Sequence, residues 1–327
     1  MTTPVSPIIH EPRVPEEVDV VIIGGGPAGL QAALTLGRVH RRALLVDSGR
    51  YRNDAATHLR NFVTLDGVPP ADFRTRARAD LPAYETITVH DGEVTDIAGA
   101  LGRWVVHTDE GYAVRAAAVV LATGLRDTLP AVPGLEQLWG DVVAHCPYCH
   151  GHEFAGKPVG LLGLGPATRH LAGVMGPVAS EVLVFGDGTA PEEELAEDLR
   201  ALGVTVHPQQ VTGVESSSLG AEVALADGTV VEVGGLFIRT VLSQASPLVE
   251  QLGLDLLSSG CVEVDDFGRT SVPGIYAAGD LAHRASLPMP MASVLAAASA
   301  GQVTAAAVVM DLTAGTRPLP EAVERAG

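Results

Sequence analysis

Two cysteines separated by two residues, Cys146 and Cys149, form the sharpest chemical signal in the chain, in the run His145-Cys146-Pro147-Tyr148-Cys149-His150-Gly151-His152. Cysteines at i and i+3 can close a small disulfide at the start of a helix. There the helix dipole lowers a thiol pKa and makes an exchange nucleophile. Pro147 restricts the intervening loop, and His150 or His152 could move the proton that thiol exchange gains or loses. Two other readings compete. The pair could be ordinary core cysteines. With one of the neighbouring histidines it could also supply three zinc ligands, although no second Cys-x-x-Cys or His-x-x-x-His closes a four-ligand set. The redox reading is the strongest of the three, and no metal is expected.

A second constellation lies near the start. Gly24-Gly25-Gly26-Pro27-Ala28-Gly29 falls between an apolar β-branched run, Val18–Ile23, and a helical pattern, Leu30–Val39. In Gly-x-Gly-x-x-Gly the first glycine allows the tight turn and the second lets the backbone approach a pyrophosphate. The third lets helix and strand pack closely. The anion would sit at the helix N-terminus, on unsatisfied N–H groups. Asp47 ends the next strand, Ala43–Val46, where it could accept a hydrogen bond from an adenosine ribose. Glycine geometry alone does not choose between FAD and NAD.

These motifs need elements to position them. A second strand–glycine–helix–strand unit follows the cysteines: Val159–Leu162, Gly163-Leu164-Gly165, then Glu181–Phe185 ending near Asp187. The Pro/Gly-rich link Leu129–Gly134 reads as a domain crossing. The predicted fold is α/β, with two Rossmann-like dinucleotide-binding domains of the three-layer ββα type, the second inserted in the first. The expected partition is a loose tail over residues 1–16, a first FAD-domain part over 17–128, and a central NAD(P)-type domain carrying the cysteines over 129–241. The second FAD-domain part takes 242–327.

Bulk composition sets the class. The chain has 327 residues, 46% hydrophobic and 18% charged, which suits a packed globular protein of two domains. With 39 acids against 21 bases the net charge is −18, a poor match for nucleic acid or an anionic membrane. Three cysteines are too few for a secreted disulfide scaffold, and the N-terminal segment lacks the pattern of a signal peptide, so a cytoplasmic setting is expected. The Ala-rich run from Met291 to Met310 approaches membrane-spanning length, but Ser293, Ser299, Gln302 and Thr304 interrupt it, and a buried helix is the better reading. Cys261, alone in an alternating stretch, reads as structural.

In order and spacing the chain resembles the low-molecular-weight thioredoxin reductase family. The resemblance is carried by Gly24–Gly29, Ala122-Thr123-Gly124, Cys146-Pro147-Tyr148-Cys149, Gly163-Leu164-Gly165 and Thr270-Ser271-Val272-Pro273-Gly274-Ile275-Tyr276-Ala277-Ala278-Gly279-Asp280. It implies FAD as cofactor, held at Gly26, Asp47, Thr123 and Asp280, with further contacts at Gly24, Pro27, Ala28, Asn53, His58, Val94, Gly124 and Gly279. Ala292, Ser293 and Val294, at the start of the last helix, complete the implied set, and that helix N-terminus would point at the flavin. It implies that Cys149 faces the flavin, that Cys146 meets the partner thiol, and that the protein is a homodimer.

The departures carry information. The reductases place an Asp after the second cysteine where this chain has His150. In the second glycine loop Pro166 intrudes and Thr168 takes the sixth position. Where the reductases carry a His-Arg-Arg cluster for the 2′-phosphate of NADPH, this chain reads Phe185-Gly186-Asp187-Gly188, and a carboxylate there repels a phosphate. These departures are similar to the dithiol oxidases that close disulfides in natural products such as gliotoxin and holomycin. The expectation is therefore an FAD-dependent oxidase of a small-molecule dithiol, with O₂ as acceptor giving H₂O₂. The alternative is an NAD(P)H-dependent thioredoxin or disulfide reductase, since Asp187 also stands where an NAD-binding acid would. A flavin- or zinc-binding regulatory protein without turnover is the remaining reading.

Overall fold

The computed structural model describes residues 14–315. Most of the tail expected over 1–16 lies outside the described residues; Val14, inside them, is buried. The chain divides into two compact units. Among the described residues, one comprises those up to Tyr51, Arg74–Arg126 and those from Ser243 onward; the other comprises Arg52–Phe73 and Asp127–Leu242.

In the first unit the apolar run becomes the strand Glu17–Ile23, buried from Val20 to Ile23 because both faces of a parallel sheet are covered. It pairs in parallel with Ala43–Asp47 on one side and Ala113–Leu121 on the other. Ile87–Asp91 extends the first side, and Ile275–Ala277 joins Val119–Leu121 in parallel. The long strand Ala113–Leu121 also serves a second layer: its N-terminal half pairs antiparallel with Arg103–Thr108, which pairs with Val94–Ala100. Helices Pro27–Arg38 and Val294–Thr313 pack on each other and on the sheet. Gly301 permits that approach, because a Cβ there would stand 2.0 Å from the Ala28 carbonyl oxygen.

Val294–Thr313 is long and apolar enough to cross a membrane. Its buried residues Ala297, Ala298, Gly301, Thr304, Ala305, Ala307 and Val308 form one face committed to the protein core. Ser293 caps the helix, its hydroxyl accepting from the Ala296 N–H at 3.1 Å, so the helix opens at Val294.

The second unit repeats the plan. Five parallel strands run in the order Thr205–His207, Glu181–Phe185, Pro158–Leu162, Gly235–Ile238, Val143–Ala144. An antiparallel meander, Val211–Ser216, Ala221–Leu225 and Val230–Val233, forms the other layer. The repeat explains why two glycine loops recur at equivalent places.

One segment departs from the expected partition. Residues 52–73, assigned from the sequence to the first FAD-domain part, belong with the second unit. The reason is a set of fasteners. Arg52 makes a bidentate pair with Asp127, at 2.6 and 2.9 Å, and both side chains are largely buried. Arg60 pairs with Glu153 at 2.9 Å. Gly140, at φ +89, packs so closely on the Ala55 carbonyl that a Cβ would lie 2.3 Å from its oxygen.

Candidate active site

The dinucleotide loop lies in the first unit. Gly24 takes φ +110, which favours glycine, and a Cβ on Gly29 would sit 1.9 Å from the Gly24 carbonyl oxygen. Strand, turn and helix therefore meet at backbone contact. Gly26 differs: nothing lies within 4 Å of where its Cβ would be. It is the N-cap of helix Pro27–Arg38 and offers no side-chain cap, with Pro27 in the first turn, so the N–H groups of that turn are left for an anion.

Asp47 sits at the predicted strand end and is 2% exposed. Its Oδ1 accepts from the N–H groups of Gly25 and Gly49, at 3.2 and 3.1 Å. Its Oδ2 accepts from the Tyr51 hydroxyl at 2.5 Å and the Arg78 guanidinium at 3.1 Å. Four donors fill the lone pairs of a carboxylate. Asp47 is thus the organiser of this end of the loop, and a ribose hydroxyl reaching it would take the place of Tyr51 or Arg78. Burial, then the hydrogen bond to Asp47, push the Tyr51 hydroxyl up to about 12, which keeps it a donor. Arg74 lies over the Tyr51 ring at 3.8 Å. Sequence reading missed this trio; the available signal was Arg74 and Arg78 four residues apart on one face of helix Pro70–Asp80.

Around the loop, Ala28, Ala122, Ala278 and Ala297 form a small-residue cluster. Gly279 takes φ +90, with Ala28 against it. Thr123 presents a buried hydroxyl with no hydrogen-bond partner, and Gly124 takes φ +72 with open space beside it. Asp280 is half-buried and its carbonyl receives the Cys261 thiol at 3.7 Å, which gives that buried cysteine a structural place. Val94 is a buried strand residue. Ala292 and Val294 flank the capping Ser293. Asn53 and His58 lie in the segment that belongs with the second unit, and His58 is exposed beside the Thr57 hydroxyl. An uncapped helix end, an open glycine and an orphaned buried hydroxyl are a fit for FAD.

The redox pair lies in the second unit. Cys146 and Cys149 form a disulfide with their Cα atoms 5.3 Å apart. Cys146 is the N-cap of the helical turn Pro147–His150, which passes into a 3-10 turn, Gly151–Phe154. The helix expected here is one turn long, so its dipole is that of one turn and contributes little to thiol activation.

The histidines differ sharply. His150 Nε2 lies 3.2 Å from the Gly140 carbonyl oxygen, which can only accept, so Nε2 carries the proton. Its Nδ1 is therefore a lone-pair acceptor, and it is buried with no partner. His152 is exposed. His145 stacks on Trp139, ring centroids 5.5 Å apart. Desolvation, the Arg52 guanidinium and His150 lower its pKa to about 4, against the opposing pull of Asp127. The residue as a whole is exposed, but the titrating ring is the part packed on Trp139. Asp127 also accepts from the Thr240 hydroxyl at 2.7 Å, and its carboxyl is held below the usual range by hydrogen bonds from Arg52 and Thr240 that outweigh desolvation.

The second glycine loop is built differently from the first. The Thr168 hydroxyl accepts from the Gly165 N–H at 2.9 Å and faces the Gly163 carbonyl at 3.5 Å. A buried side chain of the loop thus takes the N–H that a phosphate would use. Asp187, considered as an NAD-binding acid, takes φ +50 and accepts from the Val211 N–H at 3.0 Å. That turn directs the carboxylate to the meander, which is a correction to its expected place at a nucleotide ribose. Among the described residues no group of three or more His, Cys, Asp or Glu could hold a metal ion.

The model of pyridine nucleotide-disulphide oxidoreductases matches residues 18–305. The chain belongs to that family. It is 33% identical over 306 residues to the thioredoxin reductase sirT of Leptosphaeria maculans, covering 88% of this chain and 92% of that one. It is 32% identical to the thioredoxin reductase tcpT of Claviceps purpurea, covering 90% and 95%. Among solved structures it is similar to an oxidoreductase from Agrobacterium tumefaciens, at 34% identity and TM-score 0.84, covering 91% of this chain and 99% of that one. It is also similar to HlmI, at 32% identity and TM-score 0.81, covering 91% and 93%. The chain is accordingly an FAD-dependent oxidoreductase acting on thiols and disulfides.

Proposed function

We propose that this flavoprotein closes a disulfide in a small-molecule dithiol, with O₂ as the final electron acceptor and H₂O₂ as the product. The observation that carries the reading is the second glycine loop: Thr168 fills it and Asp187 is turned away. A pyridine nucleotide thus lacks its usual seat, which supports electron entry from the thiol side.

The chain's own residues have these parts in the reading. One substrate thiolate attacks Cys146 Sγ, breaking the Cys146–Cys149 bond and leaving a mixed disulfide and a thiolate at Cys149. The second substrate thiol then attacks the substrate sulfur of the mixed disulfide, releasing the closed product and the Cys146 thiol. Each attack needs a proton acceptor, and His150 Nδ1 is an unpartnered lone pair on the residue that follows Cys149. Exposed His152, assigned alongside it from the sequence, has the lesser part. The Gly140 carbonyl holds the tautomer. FAD, when bound, supplies the two-electron acceptor chemistry and its reoxidation by O₂.

The outward side of the last helix, where Leu295 and Met310 stay exposed, supports a homodimer. A cytoplasmic setting completes the reading, since neither cysteine of an exchanging pair should be locked by an oxidising compartment.

The test is anaerobic. Mix the yellow protein with a dithiol, and separately with NADH and NADPH, and follow flavin absorbance. Bleaching by dithiol, reversed by air, is expected. Rapid bleaching by either nicotinamide overturns the reading. Cys149→Ser should abolish bleaching by dithiol, and His150→Gln should slow it ~10²-fold or more.

A further inference from the structure

Residues 52–66 form a strap held to the second unit around the redox turn. Its start is fixed by the largely buried Arg52–Asp127 pair. Just after it the Ala55 carbonyl is pressed against Gly140, whose own carbonyl also fixes His150. Farther on, Arg60 pairs with Glu153 in the turn that follows Cys149. That last contact is a 2.9 Å ion pair without a directed hydrogen bond. The fasteners thus touch the loop before the cysteines and the turn after them. The strap and the redox turn each leave one large apolar side chain in solvent, Val63 at 78% and Tyr148 at 64% exposed. Tyr148 lies between the two cysteines in the chain and is part of the exposed surface of the redox turn.

We propose that the strap is the specificity wall of the dithiol site, which admits a compact, uncharged dithiol and excludes a disulfide or dithiol carried on a folded protein. The inference rests on the dithiol-oxidase reading. A protein partner must seat a face of up to about 600 Å² around the sulfur it exchanges with, the scale of a transient redox contact. A strap fastened on both flanks of the motif occupies that ground. A small molecule needs only room beside Tyr148, whose exposed ring suits an uncharged ligand better than a charged one.

The test uses the full-length, FAD-loaded protein, with the disulfide reduced anaerobically by a phosphine that is removed before labelling. Cysteine labelling is followed by mass with N-ethylmaleimide and, separately, with a maleimide carried on a protein-sized polyethylene glycol. Both rates are normalised to a free-thiol peptide. In the wild type the bulky probe should lag the small one. In Arg60→Ser/Glu153→Ser its relative rate should rise about fivefold, the upper limit for one ion pair of this exposure. Glu153→Gln, a milder change, should move it in the same direction. Equal normalised rates in the wild type, or a ratio unmoved in both variants, overturn the wall. Labelling is independent of turnover. A wild type that no dithiol bleaches but that still discriminates probe size therefore defeats the oxidase reading and leaves the wall standing.

Discussion

The two glycine loops occupy equivalent places in two similar units, yet one is open and the other is closed by its own side chain. At Gly26 there is space and an uncapped helix end; at Gly165 the N–H is taken by Thr168. The acids that follow also differ. Asp47 is buried and knits its loop to Tyr51 and Arg78, whereas exposed Asp187 caps a backbone N–H of the meander. The framework of strand, turn and helix is therefore not what confers nucleotide binding. A free ring of N–H groups followed by an acid left for the nucleotide is, and the second loop lacks both, since Thr168 takes the N–H and Asp187 is turned to the meander.

The largest effect should come from Gly29→Val, because a Cβ there meets backbone that cannot yield. A loss of about 3 kcal/mol or more is expected, read as lost thermal stability together with lost flavin. Gly26→Val should separate those two properties. Its side chain enters open space, so the flavin-free protein should lose only about 1 kcal/mol, the cost of a poorer N-cap, while flavin content falls to background. If flavin stays bound, the first loop is not the cradle. In the second loop, Thr168→Ala should cost about 1–2 kcal/mol in urea unfolding, since it strips a partner from the Gly165 N–H. NADH should still fail to bleach the flavin, because Asp187 remains turned away. Bleaching in this variant would show that the threonine alone silences the loop.

The smallest effect is in pH dependence. The His145 pKa of about 4 in the folded chain lies below the ordinary 6.5. Between those values the unfolded chain binds more protons, so stability should fall as pH drops from 6.5 towards 4. His145→Gln should flatten that window in a series of denaturation curves, and an unchanged slope would remove the histidine from the account.

Much of this was readable beforehand, for reasons that can be named. The runs Val18–Ile23 and Val159–Leu162 announce buried parallel strands because no solvent face imposes alternation. The Gly24–Gly29 spacing follows from turn geometry and local packing, and so does the cysteine pair. What escaped reading depends on long-range side-chain contacts. Arg52 finds Asp127, and Arg60 finds Glu153, across long stretches of chain that no local pattern links. The segment between them therefore could not be assigned to its unit. Asp187 was placed correctly in the chain but not in direction, because one residue at φ +50 swings its carboxylate to Val211. The one-turn length of the helix after Cys146 was likewise hidden, since Gly151 and His152 do not by themselves stop a helix.

Cys261 is 0% exposed and takes no part in the disulfide. A reagent that counts thiols on the reduced native protein should therefore find two promptly and a third only as fast as the first unit opens. The slow step is a built-in clock. It reports the opening free energy of the flavin-binding unit under native conditions, without denaturant and without any engineered probe.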